Sequence, residues 1–421
     1  NQVTTTGNTF RRNAGILFAG SGLSQLIAVL VLPLLIKFYG PEEYGAFAVF
    51  VALTVLIGSV STGRYDAALV LPEKDDDAGS LFLLCLALTV IVGLVTLVLI
   101  VIFGEAFASL LNNHDLQPWL LLLPAGIIIN GIYLTLDAWA NRKAKYRRMA
   151  VNRLGMVVLM VSFQIGAGML DMQGGLIVGS VCSQLVCMAV FLVYILRDDW
   201  STTFSKVGLQ DMRRLARHYK SHPTFLIPSH GASSLYVQLP VVFISSVFGS
   251  AAAGWYGIAM RLVTLPTQTL ANSIGTVYRQ KAAEAYRSCG RFLELFKKTL
   301  LTTAVLSVLP FVALVAWADN LFLFFLGEPW REAGRIAQVL ALSGWVGFFA
   351  TPVDKGAIIV GRMRYIFGWH VGRLGACFLA FYYCYTTPVE LYHLVAILTG
   401  VGIFFYLLDV YFEYFFARGS R

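Results

Sequence analysis

Apolar residues run through this chain in stretches of roughly 20, separated by short polar breaks. Six runs lie near 13–36, 44–71, 79–103, 118–140, 151–170 and 175–196, and six more near 223–248, 254–277, 298–319, 334–360, 365–386 and 391–416. Stretches such as Leu81 to Phe103 are apolar on every face, with none of the period-two alternation of a barrel strand. Only helices and closed barrels satisfy their own backbone in hydrocarbon, and about 20 residues of helix span about 30 Å. The pattern therefore predicts an all-α polytopic membrane protein of about twelve transmembrane helices.

Composition strengthens that expectation. Of 421 residues, 57% are hydrophobic and only 13% charged, with a mean hydropathy of +0.71. A soluble chain of this length needs a largely polar exterior. The net charge of +9 does not point to nucleic acid, because its distribution follows the membrane. With the N-terminus in the cytosol, 24 of the 32 Lys and Arg fall on cytosolic segments and only Lys37, Arg331 and Arg335 on outward ones. That asymmetry predicts a multi-pass protein with both termini in the cytosol. Asn1 to Arg12 is polar and has no signal-peptide pattern.

One cytosolic connection is longer than the rest, Arg197–His222. Within it, from Lys206 to Lys220, Leu209, Met212, Leu215, Ala216 and Tyr219 recur at helical spacing among basic residues. This predicts an amphipathic helix on the anionic inner leaflet. The expected organisation is an N-terminal lobe over 1–200, this linker over 201–222, and a C-terminal lobe over 223–421.

A shift of 209 residues lays the first two runs on the seventh and eighth. Gly22 meets Gly231, Ser24 meets Ser233, Gly40 meets Gly249 and Gly45 meets Gly254. Six spans is an even number, so both halves enter the membrane in the same sense. The repeat predicts two six-helix bundles related by a pseudo-two-fold axis along the membrane normal, with a substrate path between them.

A charge at the middle of a spanning helix costs about 2.5–3.5 kcal/mol on insertion scales, so each one needs a reason. Arg64 and Asp66 fall in the second run, Asp137 in the fourth, Arg153 in the fifth and Arg261 in the eighth. Asp354 and Lys355 fall in the tenth, Arg373 in the eleventh and Asp409 in the twelfth. Snorkelling to headgroups explains Arg153 and, less well, Arg373; Arg64 and Arg261 lie deeper. Asp409 and Glu413, near the last helix end, read as interfacial. In a helix, residues one or two apart face different ways. Asp66 and Asp354 should therefore find partners on other helices, as structural pairs or as a gating and ion-coupling set with Asp137. His230, Ser234 and Gln238 make a polar stripe at i, i+4 and i+8, and Ser21, Ser24 and Gln25 stand in the matching run. These stripes read as cavity walls or as interhelical hydrogen bonds. Gly175-x3-Gly179 and Gly368-x3-Gly372 allow close helix approach.

Catalytic chemistry has no visible carrier. The six cysteines lack disulfide or zinc spacing, no His and carboxylate cluster suits a metal, and no Gly-rich loop precedes a Lys-Ser/Thr pair. No enzyme activity, metal or cofactor is expected.

Two stretches carry a family resemblance: Tyr39-Gly-Pro-Glu-Glu-Tyr-Gly-Ala-Phe-Ala-Val-Phe50 with Arg64-Tyr-Asp-Ala-Ala-Leu-Val-Leu-Pro72, and Tyr278-Arg-Gln-Lys-Ala-Ala-Glu-Ala-Tyr286. They resemble the polysaccharide transporter family of the multidrug/oligosaccharidyl-lipid/polysaccharide (MOP) flippase superfamily, and within it the Wzx-type O-antigen flippases. The resemblance implies the fold of multidrug and toxin extrusion (MATE) transporters and lipid II flippases, working by alternating access. The implied substrate is an undecaprenyl-diphosphate-linked oligosaccharide turned from the cytosolic to the periplasmic leaflet. A proton or sodium coupling ion, membrane lipids and polysaccharide polymerase or assembly proteins are the implied partners. Twelve spans, without the two further helices of lipid II flippases, favour the Wzx branch.

A diphosphate needs fixed cations to replace its lost hydration. Arg64, Arg261, Lys355 and Arg373 are the candidates, with Ser24, His230, Ser234 and Gln238 for the sugars. The chief alternative is an ion-coupled small-molecule exporter of the same superfamily. A major-facilitator transporter is disfavoured by the acidic loop Pro72–Ala78, and a membrane glycosyltransferase or polymerase by the short outward loops.

Overall fold

The computed structural model describes residues 22–111, 114–199 and 208–419. Arg11, Arg12, Ser21, Lys206 and Arg421 lie outside the described residues. The helices are α1 (Gly22–Leu35), α2 (Pro41–Ser61), α3 (Asp75–Leu110), α4 (Leu123–Arg142), α5 (Tyr146–Met169), α6 (Gly175–Asp199), α7 (Leu209–His218) and α8 (Ile227–Phe248). They continue as α9 (Ser250–Pro266), α10 (Asn272–Cys289), α11 (Leu293–Leu326), α12 (Arg331–Ala350), α13 (Gly356–Ile359), α14 (Met363–Thr386) and α15 (Leu391–Arg418). Within the described residues every apolar run falls on helix, two of the runs with interruptions, and there is no strand. Nine helices there are long and apolar enough to cross a membrane. The fold is an all-α membrane fold of about twelve spans.

Contacts divide the chain after Ser250 into two compact units. In the first, α8 lies along α2, so the contact boundary falls one helix later than the expected lobe boundary. The α5–α6 pair is close because Gly179 faces Gln164, where a Cβ would come within 2.8 Å of the Gln164 side chain. Gln164 donates to the Leu176 carbonyl at 3.0 Å, and the Tyr39 hydroxyl donates to the Gln164 carbonyl at 2.6 Å. The second Gly-x3-Gly pair behaves differently: Gly368 faces open space. The linker helix α7 is present as expected, but Leu215 is buried and α7 packs on α3. The Tyr65 hydroxyl donates to its Ala216 carbonyl at 3.1 Å.

Two expected spans are broken where sequence predicts continuous helix. The second stops at Ser61, because Gly63 (φ 61°) and Arg64 (φ 59°) take left-handed backbone before a single turn over Tyr65–Ala68. Arg64 carries a small steric penalty there that a glycine would not. The tenth stops at Ala350, passes through a turn at Thr351–Val353, and resumes only at α13. Pro352 supplies no N–H to continue the ladder. In the other direction, residues expected as a loop after 277 are helical to Cys289.

The repeat extends further than the sequence revealed. After α4, Lys145 N–H bonds the Ala140 carbonyl at 2.9 Å and Ala144 N–H bonds Asn141 at 3.0 Å, with Ala144 at φ 53°. After α13, Arg362 N–H bonds Ala357 at 2.8 Å and Gly361 N–H bonds Ile358 at 3.2 Å, with Gly361 at φ 78°. The two corners are 217 residues apart and wired alike, and the same shift carries Asp137 onto Asp354 and Arg153 onto His370.

Candidate functional site

In the first unit the left-handed turn after α2 assembles a polar cluster. The Arg64 guanidinium lies 3.7 Å from Asp66 and donates to the Ser59 carbonyl at 3.3 Å. Thr62 donates to Asp66 at 2.7 Å. The expectation that Asp66 pairs with another helix is corrected. It assumed continuous helix, and the turn brings residues two apart onto one side. Arg64 is largely buried (side chain 14% exposed), and its Nε has no hydrogen-bond partner. His230, near the start of α8, is within electrostatic reach of both Arg64 and Asp66. Ser24 is buried on α1, while Ser234 and Gln238 are half-buried on α8.

Asp137 does not join that cluster's pairing. Its carboxylate accepts from Arg153 of α5 at 3.0 and 3.2 Å, so the snorkelling expectation for Arg153 is replaced by a helix-to-helix ion pair.

The second unit holds the other cluster. Asp354 and Lys355 pair with each other at the break after α12, again because the segment is not helical there. Arg373 on α14 stacks between Trp369 and Tyr406, its guanidinium 5.0 and 4.6 Å from the ring centres. Arg261 is half-buried on α9. Asp409 and Glu413, expected as interfacial, are instead only 8% and 1% exposed. Asp409 accepts from the Tyr365 hydroxyl at 2.6 Å. Their i, i+4 spacing on one face of an otherwise aromatic helix was the available signal. A cavity of about 210 Å3 is lined by Asp354, Lys355, Tyr365, His370, Asp409 and Glu413. Among the described residues no group of three or more His, Cys, Asp or Glu could hold a metal ion, and the six cysteines are unpaired.

Sequence reasoning also missed an ion-paired layer on the basic side of the first unit. Asp75, in the first turn of α3, accepts from Arg142 at 3.0 Å and from Lys143 at 2.6 Å. Arg142 further donates to the Leu69 and Pro72 carbonyls at 3.1 and 2.7 Å. Asp77 accepts from Arg214 of α7 at 2.6 Å.

Residues 34–335 match the profile of a family described as polysaccharide biosynthesis protein. This chain belongs to that family. The polysaccharide biosynthesis family gives it relatives at low identity. It is 26% identical over 381 residues to the succinoglycan biosynthesis transport protein ExoT of Rhizobium meliloti (strain 1021), covering 88% of this chain and 73% of that protein. The teichuronic acid biosynthesis protein TuaB of Bacillus subtilis (strain 168) is 24% identical over 178 residues, 42% of this chain and 36% of TuaB. Among solved structures, lipid II flippase MurJ in its inward closed conformation superposes with a TM-score of 0.75 at 12% identity, over 96% of this chain and 90% of MurJ. A multidrug resistance MATE family transporter of the MOP superfamily, in its inward-facing conformation, superposes with a TM-score of 0.66 at 15% identity, over 96% of this chain and 93% of that one. The fold is thus the one shared by lipid II flippases and MATE transporters of the MOP superfamily. The chain is a multi-pass membrane protein, and ExoT and the solved structures that it resembles are transporters or flippases.

Proposed function

We propose that this polysaccharide-family transporter flips a polyprenyl-diphosphate-linked oligosaccharide, such as an O-antigen repeat unit on undecaprenyl diphosphate. Transfer runs from the cytosolic to the periplasmic leaflet of a bacterial inner membrane by alternating access. The lobes are 1–200 and 223–421, and both termini are cytosolic. The diphosphate is drawn by Arg64, with Arg261, Lys355 and Arg373, while Ser24, His230, Ser234 and Gln238 contact sugars. Asp66, Asp137 and Asp354 serve gating or ion coupling.

One observation supports this reading most. Arg64 is a fixed cation inside an apolar protein, held on a left-handed turn with its Nε unpaired and His230 nearby. A buried guanidinium with spare donor capacity is suited to a phosphate oxygen, which accepts charge-assisted hydrogen bonds. The family match and the transport protein ExoT support a cargo from polysaccharide assembly.

Purified protein in liposomes, offered fluorescent undecaprenyl-diphosphate oligosaccharide and a cationic dye in separate runs, tests the reading. Transport of the lipid-linked sugar with no dye movement is expected. Dye movement without sugar-lipid transfer would replace the proposal with the exporter.

A further inference from the structure

Glu413 has no part in the proposed transport site, and its surroundings are unusual. It is 1% exposed and faces the cavity at the break after α12. One oxygen, Oε1, accepts from the Ala357 N–H at 3.0 Å. The other, Oε2, makes no hydrogen bond of good geometry, although the Gly356 N–H also acts on the carboxyl. Gly356 stands against Oε2, and any Cβ there would collide with it. The glycine makes the space in which the carboxyl sits.

The groups around Glu413 do not neutralise it. Acidic Asp409 and Asp354 are the charged groups that act on it. On its own helix, Asp409 is held by the Tyr365 hydroxyl of α14. From the break, Lys355 is taken up by Asp354, on which Arg279 of α10 also acts. From α14, Arg373 is stacked on Trp369 and Tyr406, and His370 lines the cavity. From α10, the Tyr278 hydroxyl is buried without a hydrogen-bond partner, and Glu413 and Asp354 both act on it. Phe292, Phe296, Val353 and Ala417 pack around this Tyr278.

A buried carboxylate among acidic neighbours is costly, and a single proton removes that cost by cancelling the charge. A metal cation would need several oxygens converging at one point, and no such His, Cys or carboxylate group exists among the described residues.

The geometry points to Glu413 as a proton-binding site. Its occupancy sets the charge that faces Asp354 at the interrupted segment of span ten. Loss of the proton sets Glu413 against Asp409 and Asp354 and loosens the break; uptake closes it. Transport would thereby depend on a proton gradient. This last step rests on the proposed transport function, but proton binding does not.

The test is infrared difference spectroscopy on the full chain in nanodiscs during a pH titration, which requires no substrate. The wild type should show a carboxylic-acid C=O band that E413Q lacks, that E413D shifts, and that D409N keeps. E413Q retains an oxygen for Ala357 and should fold. A band that persists in E413Q overturns the proposal, and so does a band erased by sodium at constant pH, which would mean a cation site. In liposomes, E413Q should lose at least about tenfold of the stimulation by a pH gradient while keeping exchange without one. Equal stimulation in E413Q and wild type would overturn the coupling. If no substrate is moved under any condition, the transport reading fails and the infrared result still decides proton binding.

Discussion

One guanidinium nitrogen of Arg153 touches both oxygens of Asp137, at 3.0 and 3.2 Å, and ties α5 to α4. Both side chains are partly exposed, 32% and 25%, but the surroundings are apolar helix. Removing either partner strands the other. D137A and R153A should each destabilise the protein, and D137A/R153A together should be less damaging than their sum. A coupling of about 1–2 kcal/mol is expected, read from thermal unfolding in detergent. Additive losses would show that the pair contributes nothing.

Arg142 is a stronger anchor than its ionic partner suggests. It serves Asp75 and also the Leu69 and Pro72 carbonyls, which have no regular helix to receive them. R142A should cost about 2–3 kcal/mol through these lost charged hydrogen bonds. D75N should cost less than about 1 kcal/mol, since Asp75 is 49% exposed. The same unfolding assay ranks the two, and an equal or reversed order refutes the assignment.

Arg64 can be probed for charge and shape separately. R64A should lower the initial rate of lipid-linked sugar transfer by about tenfold or more, the worth of a lost charged hydrogen bond. R64K should recover only part, because an ammonium has no planar fork. R64G relaxes the left-handed turn while deleting the charge, so it should be as slow as R64A yet at least as stable. Normal transfer by R64A at matched protein level would remove Arg64 from the site.

Cys289 offers a test of sidedness. It is exposed at the end of α10, whereas Cys85, Cys187, Cys377 and Cys384 are buried. A membrane-impermeant maleimide should label Cys289 in inside-out vesicles and leave intact spheroplasts unlabelled, with C289S as the blank. Labelling in spheroplasts alone would invert the proposed topology.

The spans were legible because hydrocarbon tolerates little besides a long apolar helix. The breaks were not. Leu69-Val-Leu71 after Arg64 and Gly356–Val360 after Lys355 stay apolar, so hydropathy carries each run straight through. Gly63 and Pro352 were the local markers, and their effect is on backbone angles, which a hydropathy pattern does not record. That same omission hid the partners of Asp66 and Asp354. Glu413 hid for another reason: closeness to a helix end is not closeness to water where, as here, α10 and α11 cover that end. The layer around Asp75 and Asp77 needed knowledge of which loops meet, and only the fold supplies it.

From Ser250 to Cys289 the chain is one helical rod, about 60 Å long at 1.5 Å per residue. Midway, at Thr267–Ala271, a single wide turn follows Pro266. Such a turn lodges one surplus residue and rotates everything beyond it by about 100°. The rod is therefore two screws cut out of phase, each aimed at its own neighbours. Deleting one residue from that turn would restore a uniform thread and swing Tyr278 and Ala282 out of their sockets.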